Sequence, residues 1–158
     1  MGLDQKSLAR KLFYKGKTKR NLLFLDTMVF IYHFERNPQY FPVTNYLFNS
    51  IEKGEVKAFT SIISLIEILT GPLKLKDKIL AKEYNLLLSS FPNLKIIDLN
   101  QEIAEKTAEL RAEFNLRTPD AIQVATALVS NSESLITNDR TFKKVKGIDI
   151  FILKDLIK

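Results

Sequence analysis

A chain of 158 residues has room for one domain of ordinary size, and 46% hydrophobic with 27% charged residues is a globular composition. There is no cysteine, which excludes disulfides, thiol catalysis and cysteine-bearing zinc sites and suits a reducing, cytoplasmic setting. The net charge of +6 resides wholly in the first twenty residues, where seven basic side chains face Asp4 alone, leaving 17 basic and 17 acidic residues in the remainder.

That division predicts a basic N-terminal extension over 1–20 and a single domain over 21–158. Two readings of the extension stand side by side. One is a patch for nucleic-acid phosphates or an anionic membrane surface; the other is an amphipathic helix docked through Leu8, Leu12 and Phe13. Lys6 stands where a myristoylation signal requires Ser or Thr, and no apolar run approaches the ~18 residues of a membrane span.

Asn21–Asp26 is an apolar run ending in an acid and reads as a buried strand, followed by a helix over Thr27–Phe34 and a break at Asn37-Pro38. Phe41–Glu52 reads as a helix closed by Gly54, and Val56–Thr60 as a second strand. The apolar helix Ser61–Leu69 is expected to stop at Gly71-Pro72, and an amphipathic helix follows over Leu75–Leu88. Leu94–Leu99 is a third strand. Gln101–Glu113 reads as a helix whose buried side is marked by Ile103, Ala104, Leu110 and Phe114. Thr118-Pro119 opens a helix to Val129, with Thr118 as N-cap. Ser134–Thr137 and Ile148–Ile152 complete five strands. Short strands alternating with helices imply a mostly parallel sheet covered on both faces, with function at the carboxyl ends of the strands.

Four acids stand out against this layout. Asp26 ends the first strand, Glu67 interrupts an apolar helix, Asp120 lies in the first turn of the Thr118 helix, and Asp139 follows the fourth strand. Each has a plain structural explanation. Asp26 and Asp139 suit N-caps, Asp120 suits a helix dipole, and Glu67 calls for a salt bridge, although no basic residue stands three or four positions away. Gathered together they mean something else. Two carboxylates ~4 Å apart repel by about 4 kcal/mol at an effective dielectric of 20, so a cluster requires a cation. Oxygen donors without Cys or His suit Mg²⁺ or Mn²⁺, ions that serve phosphate-ester hydrolysis by activating water and neutralising phosphoryl oxygens.

The strings Leu22-Leu23-Phe24-Leu25-Asp26-Thr27, Ser64-Leu65-Ile66-Glu67, Leu116-Arg117-Thr118-Pro119-Asp120-Ala121-Ile122-Gln123-Val124-Ala125-Thr126-Ala127 and Leu135-Ile136-Thr137-Asn138-Asp139-Arg140-Thr141-Phe142 resemble the four signature segments of PIN domains. The nearest likeness is to the VapC-like toxin ribonucleases of type II toxin–antitoxin pairs, over residues 21 to about 155. The resemblance implies an α/β three-layer sandwich with sheet order 3-2-1-4-5 and a metal-dependent ribonuclease acting on single-stranded RNA. It places Asp26, Glu67, Asp120 and Asp139 on the family's acidic quartet, holding Mg²⁺ or Mn²⁺, and Thr137 on a supporting hydroxyl. It further implies a homodimer and a cognate antitoxin that covers the site. Met28 stands where the family commonly has Asn, and the twenty-residue basic extension is the other departure from its pattern.

Thr27 and Asn138 join Thr137 as supporting candidates, and Arg140 and Arg117 are candidate RNA contacts beside the acids. The run Lys143-Lys144-Lys146 reads equally as a phosphate-steering face or an ordinary solvated one. His33, the sole histidine, lies among aromatics and reads as packing or surface, which leaves a Ser-His-Asp triad without support. A PIN nuclease of RNA processing without an antitoxin, a non-catalytic PIN scaffold and a receiver-like module remain as alternatives. A receiver lacks its lysine, since Thr137-Asn138-Asp139 offers none at the late strand end.

Overall fold

A computed structural model of the protein describes residues 2–157. The five strands of the sheet are β1 (Leu22–Leu25), β2 (Lys57–Ser61), β3 (Leu94–Ile97), β4 (Ser134–Thr137) and β5 (Asp149–Ile152). They lie in the order β3-β2-β1-β4-β5, with every neighbouring pair parallel. This is the 3-2-1-4-5 order expected. In the central strands successive side chains serve opposite layers. Leu23, Leu25 and Ile136 enter one core with α2 (Thr27–Phe34) and α3 (Phe41–Glu52), whereas Phe24 and Leu135 enter the other with α6 (Gln101–Phe114) and α7 (Thr118–Val129).

The N-terminal segment is folded onto the first of these cores. Its helix α1 (Gln5–Phe13), capped by Asp4, buries Leu8, Leu12 and Phe13, and a tight hairpin follows with strands Tyr14–Lys15 and Thr18–Lys19. Gly16 at the turn has φ 62°, a left-handed conformation that two-residue hairpins favour and glycine adopts without a Cβ clash. Arg20, only 6% exposed, clamps the segment down. Its guanidinium donates to the carbonyls of Lys11 and Tyr14 and to Asp149 Oδ2 at 2.9 Å, and lies 4.9 Å from the Phe151 ring centroid.

Several boundaries differ from the sequence reading. Helix α4 (Ile62–Lys74) runs through Gly71-Pro72 instead of stopping there. Pro72 sits in the last turn, where its missing N–H removes one helical bond, and its carbonyl still accepts from Leu75 and Asp77. Helix α5 spans Lys78–Ser90 and starts three residues late because Asp77 caps it, accepting from the Leu80 amide. In α7 the N-cap is Arg117, without a side-chain cap, and Thr118 and Pro119 are already helical. On α6 the buried row is Ile103, Thr107 and Leu110, and Ala104 faces solvent. A short 3-10 helix, Arg140–Lys144, and α8 (Leu153–Leu156) complete the chain.

His33 is packed within the aromatic layer, stacked on Phe48 at 4.3 Å and Phe41 at 5.4 Å between centroids, with Nδ1 buried and unpaired. Burial, reinforced by the Arg36 charge, lowers its pKa to about 4. Because the folded value lies below the unfolded one near 6.5, this contribution to stability is complete above pH 6.5 and is lost as pH falls toward 4. His33→Phe is expected to remove that acid-side loss, read as urea midpoints across this pH range.

Candidate active site

All four acids follow the carboxyl edge of the sheet or the helices that leave it. Asp26 closes β1 and caps α2. Its Oδ1 accepts from the Thr27 amide at 2.8 Å and Gln123 Nε2 at 3.0 Å, and its Oδ2 accepts from Thr137 Oγ1 at 2.7 Å. Thus the plain capping explanation holds for a residue that is also a candidate for the site. Despite three hydrogen bonds favouring the anion, burial dominates and raises the Asp26 pKa to about 6, helped by the negative charges of Glu67 and Asp120.

Glu67 lies on α4, which packs only one side, through Ser64, Ile68 and Pro72. The expectation that Glu67 sits on a largely buried helix is corrected here: Glu67 is exposed, as is its neighbour Ile66 at 56%. Among the described residues no lysine or arginine bridges it; Thr27 Oγ1 donates to its Oε1 at 3.2 Å. Its pKa is raised by partial desolvation, with the charge of Asp120 adding to the shift.

Asp120, in the first turn of α7, pairs with Arg117 Nε at 3.1 Å. Arg117 is also attracted by Asp139 and Glu67, so its guanidinium is the resident positive charge among the acids. Asp139 caps the 3-10 helix, accepting from the Thr141 amide and hydroxyl, and its own amide donates to Thr137 Oγ1. Asn138 braces the edge differently, its amide donating to Tyr32 Oη at 3.4 Å and its carbonyl accepting from the Lys154 amide. Arg140 is turned to Asp155 at 2.6 Å.

The residue that the sequence reading missed is Gln123. It is 1% exposed, on the face of α7 against the sheet. Its Nε2 reaches Asp26 Oδ1, Thr27 Oγ1 at 3.1 Å and Ser64 Oγ at 2.8 Å, and its Oε1 accepts from Ser61 Oγ. Thr60 Oγ1 extends the network to Ser64 and the Leu25 carbonyl. One amide therefore joins β1, β2, α4 and α7 beneath the acids. It also supplies Asp26 with an amide donor that Met28 cannot give. The signal was present in the sequence as an amide between two apolar residues, Ile122 and Val124, in the middle of a helix.

Among the described residues no group of three or more His, Cys, Asp or Glu stands at metal-ligand spacing. The donors nonetheless fit a hard divalent cation. They are carboxylate oxygens, two have raised pKa values through burial and mutual repulsion, and Mg²⁺ typically takes only one or two protein carboxylates and completes its shell with water and phosphate.

Comparison with known proteins bears on the same residues. A PIN domain family model matches residues 23–148. Ribonuclease VapC6 of Methanocaldococcus jannaschii is 40% identical over 57 residues, which is 36% of this chain and 37% of that protein, so the chain matches little more than a third of its relative. The fold is similar to VapBC2 from Rickettsia felis bound to a promoter DNA fragment (TM-score 0.67, 23% identity, 83% of this chain and 98% of that one). It is similar also to a toxin–antitoxin complex from Klebsiella pneumoniae (TM-score 0.64, 26% identity, 83% and 97%). With the sheet order, the acids at its carboxyl edge and a family match across most of its length in agreement, this chain belongs to the PIN domain family.

Proposed function

We propose that the chain is a divalent-metal-dependent ribonuclease that hydrolyses RNA phosphodiester bonds, and that it acts as the toxin of a toxin–antitoxin pair. The observation that carries this reading is Asp26: a carboxylate anchored on both oxygens yet pushed to a pKa of about 6 by burial and by two neighbouring acids. Such a group gains most from a cation. Asp26 and Asp120 would hold Mg²⁺ or Mn²⁺, with Glu67 and Asp139 acting through water. The ion supplies activation of water and neutralisation of phosphoryl charge.

The protein's own residues do the positioning. Thr137 and Gln123 fix the two oxygens of Asp26, so no reorganisation is needed as charge develops. Thr27 ties Glu67 to the same network. Arg117 balances Asp120 and, at 80% side-chain exposure, is free to turn toward a phosphate. Ile66, Leu73, Leu75, Ile79, Leu86 and Leu87 are exposed along α4 and α5, an apolar surface that suits a protein partner, whether a second copy or an antitoxin.

The test is cleavage of single-stranded RNA with Mg²⁺ or Mn²⁺ and with excess EDTA. Cleavage is expected only with the ion, and full cleavage in EDTA overturns the mechanism. A PIN nuclease of RNA processing without an antitoxin is the second reading, favoured by the folded basic N-terminal segment. Growth arrest on expression of the wild-type chain, absent for Asp120→Asn, is expected of a toxin; unimpaired growth with an active enzyme favours RNA processing.

A further inference from the structure

The positive charge of the chain lies in a place the proposed chemistry does not use. Lys6, Arg10, Lys11, Lys15, Lys17 and Lys19 are all exposed on α1 and its hairpin, and Arg20 fixes the hairpin against the start of β5 through Asp149. Lys15 shares Asp149 at 3.5 Å; among the described residues Arg10, Lys11, Lys17 and Lys19 have no ion-pair partner. Arg10, Tyr14, Gly16 and Lys17 line a shallow cleft, and Tyr14 keeps 40% of its surface exposed beside these cations.

The hairpin leads into the first residue of β1, so it stands at the amino edge of the sheet, and the acids stand at the carboxyl edge. Four strand residues separate the two edges, a depth of about 13 Å. The crossover from β4 to β5, residues 138–148, runs from the acidic edge back to the hairpin's edge and carries exposed Lys143, Lys144 and Lys146 beside Arg140, which is paired with Asp155. Cations are thus available along the whole path.

We propose that the N-terminal hairpin, with Arg10, Tyr14, Lys17 and Lys19, is a distal anchor for the phosphate backbone of the RNA strand whose scissile bond lies at the acidic edge. This rests on the ribonuclease reading above. Cations neutralise phosphates without reading sequence, and an exposed aromatic ring offers a stacking surface to any base. An anionic membrane fits the same charge less well. A surface-seeking helix inserts its apolar face, and that of α1, formed by Leu8, Leu12 and Phe13, is buried in the domain core. The anchor also answers a problem posed by the site, since an acidic edge repels RNA until its cation enters.

The experiment measures binding of labelled single-stranded RNA of about 20 nucleotides, longer than the ~4–16 nucleotide footprints of single-strand binders, in EDTA across a salt series. The variant Arg10→Gln/Lys17→Gln/Lys19→Gln changes only exposed residues. It is expected to weaken binding at least tenfold at low salt and to reduce the slope of log K against log salt by about 2, from three lost contacts at ~0.7 each. With Mn²⁺, its kcat/KM on a dinucleotide is expected to equal that of wild type, because a dinucleotide cannot span the two edges, while KM on the long strand rises. Unchanged affinity and slope overturn the anchor. So does a loss confined to phosphatidylserine vesicles, which assigns the surface to a membrane. RNA binding through the hairpin without any cleavage supports the anchor and sinks only the nuclease reading; cleavage indifferent to the variant sinks only the anchor.

Discussion

Asp26→Asn is expected to abolish RNA cleavage and, at the same time, to stabilise the fold above pH 7. The two effects share a cause. Folding raises the Asp26 pKa from 3.8 to about 6, chiefly through burial, so the folded state holds this proton more tightly than the unfolded chain does. The sign follows directly: the contribution favours folding below pH 3.8 and is lost as pH rises through 6, which leaves an unfavourable balance at neutral pH of up to about 3 kcal/mol. Asparagine avoids that cost and preserves the contacts. Its Oδ1 can accept from Thr27 and Gln123, and its Nδ2 can donate to Thr137 Oγ1. Activity is expected to fall by at least ~10³-fold, the scale on which directly engaged charge-stabilising groups act. Unfolding midpoints with and without the substitution, at pH 5 and pH 8, check the linkage. A variant no more stable than wild type at the higher pH contradicts it. His33 titrates in the opposite sense over nearly the same interval, so the two contributions oppose each other between pH 4 and 6, and each single substitution exposes the slope of the other group.

Gln123→Leu is expected to be the most destructive single change outside the acids. Leucine has similar bulk but removes one hydrogen bond from each of four polar atoms, Asp26 Oδ1, Thr27 Oγ1, Ser64 Oγ and Ser61 Oγ, and leaves the buried Ser61 hydroxyl without its acceptor. Each lost hydrogen bond is worth about 0.5–1.5 kcal/mol net, so a loss of about 2–4 kcal/mol is anticipated for the four together. The residue acts through Asp26 rather than on the phosphate, which makes it a positioning residue. Accordingly, residual activity in the folded variant should show a shifted pH profile, because Asp26 loses a donor that favours its anion. A variant with wild-type stability and profile would show that the network is ornamental.

The parts of this molecule that were legible in the sequence are those written in period and punctuation. Five strands separate cleanly from helices because the strand runs are short and apolar and because Asp26 and Asp139, read as caps, do mark where helices begin. The acids were visible because each interrupts a pattern. What period could not reveal was exposure. Glu67 looked trapped among Ile66 and Ile68, yet α4 fully buries only Ser64, Ile68 and Pro72, and Ile66 and Glu67 lie on its solvent side. Helix ends near proline were equally opaque, since Pro72 in a final turn and Pro119 in a first turn obey different rules from proline in mid-helix. Gln123 escaped notice for a further reason: an amide carries no charge to flag it, and its partners lie between 59 and 97 residues away.

Those long separations govern when the site can exist at all. Thr137 holds Asp26 across 111 residues, and Arg20 meets Asp149 across 129. During synthesis at roughly 5–20 residues per second, a chain that has left the ribosome through α6 carries Asp26 and Glu67 with neither Gln123 nor Thr137 to hold them. The set of contacts on Asp26 is complete only when β4 has slotted beside β1 and brought Thr137 to it. A chain released before β4 lacks both donors that fix the oxygens of Asp26 in the finished fold only if it also ends before α7, so the candidate site is assembled by the late elements and not by the early acids alone.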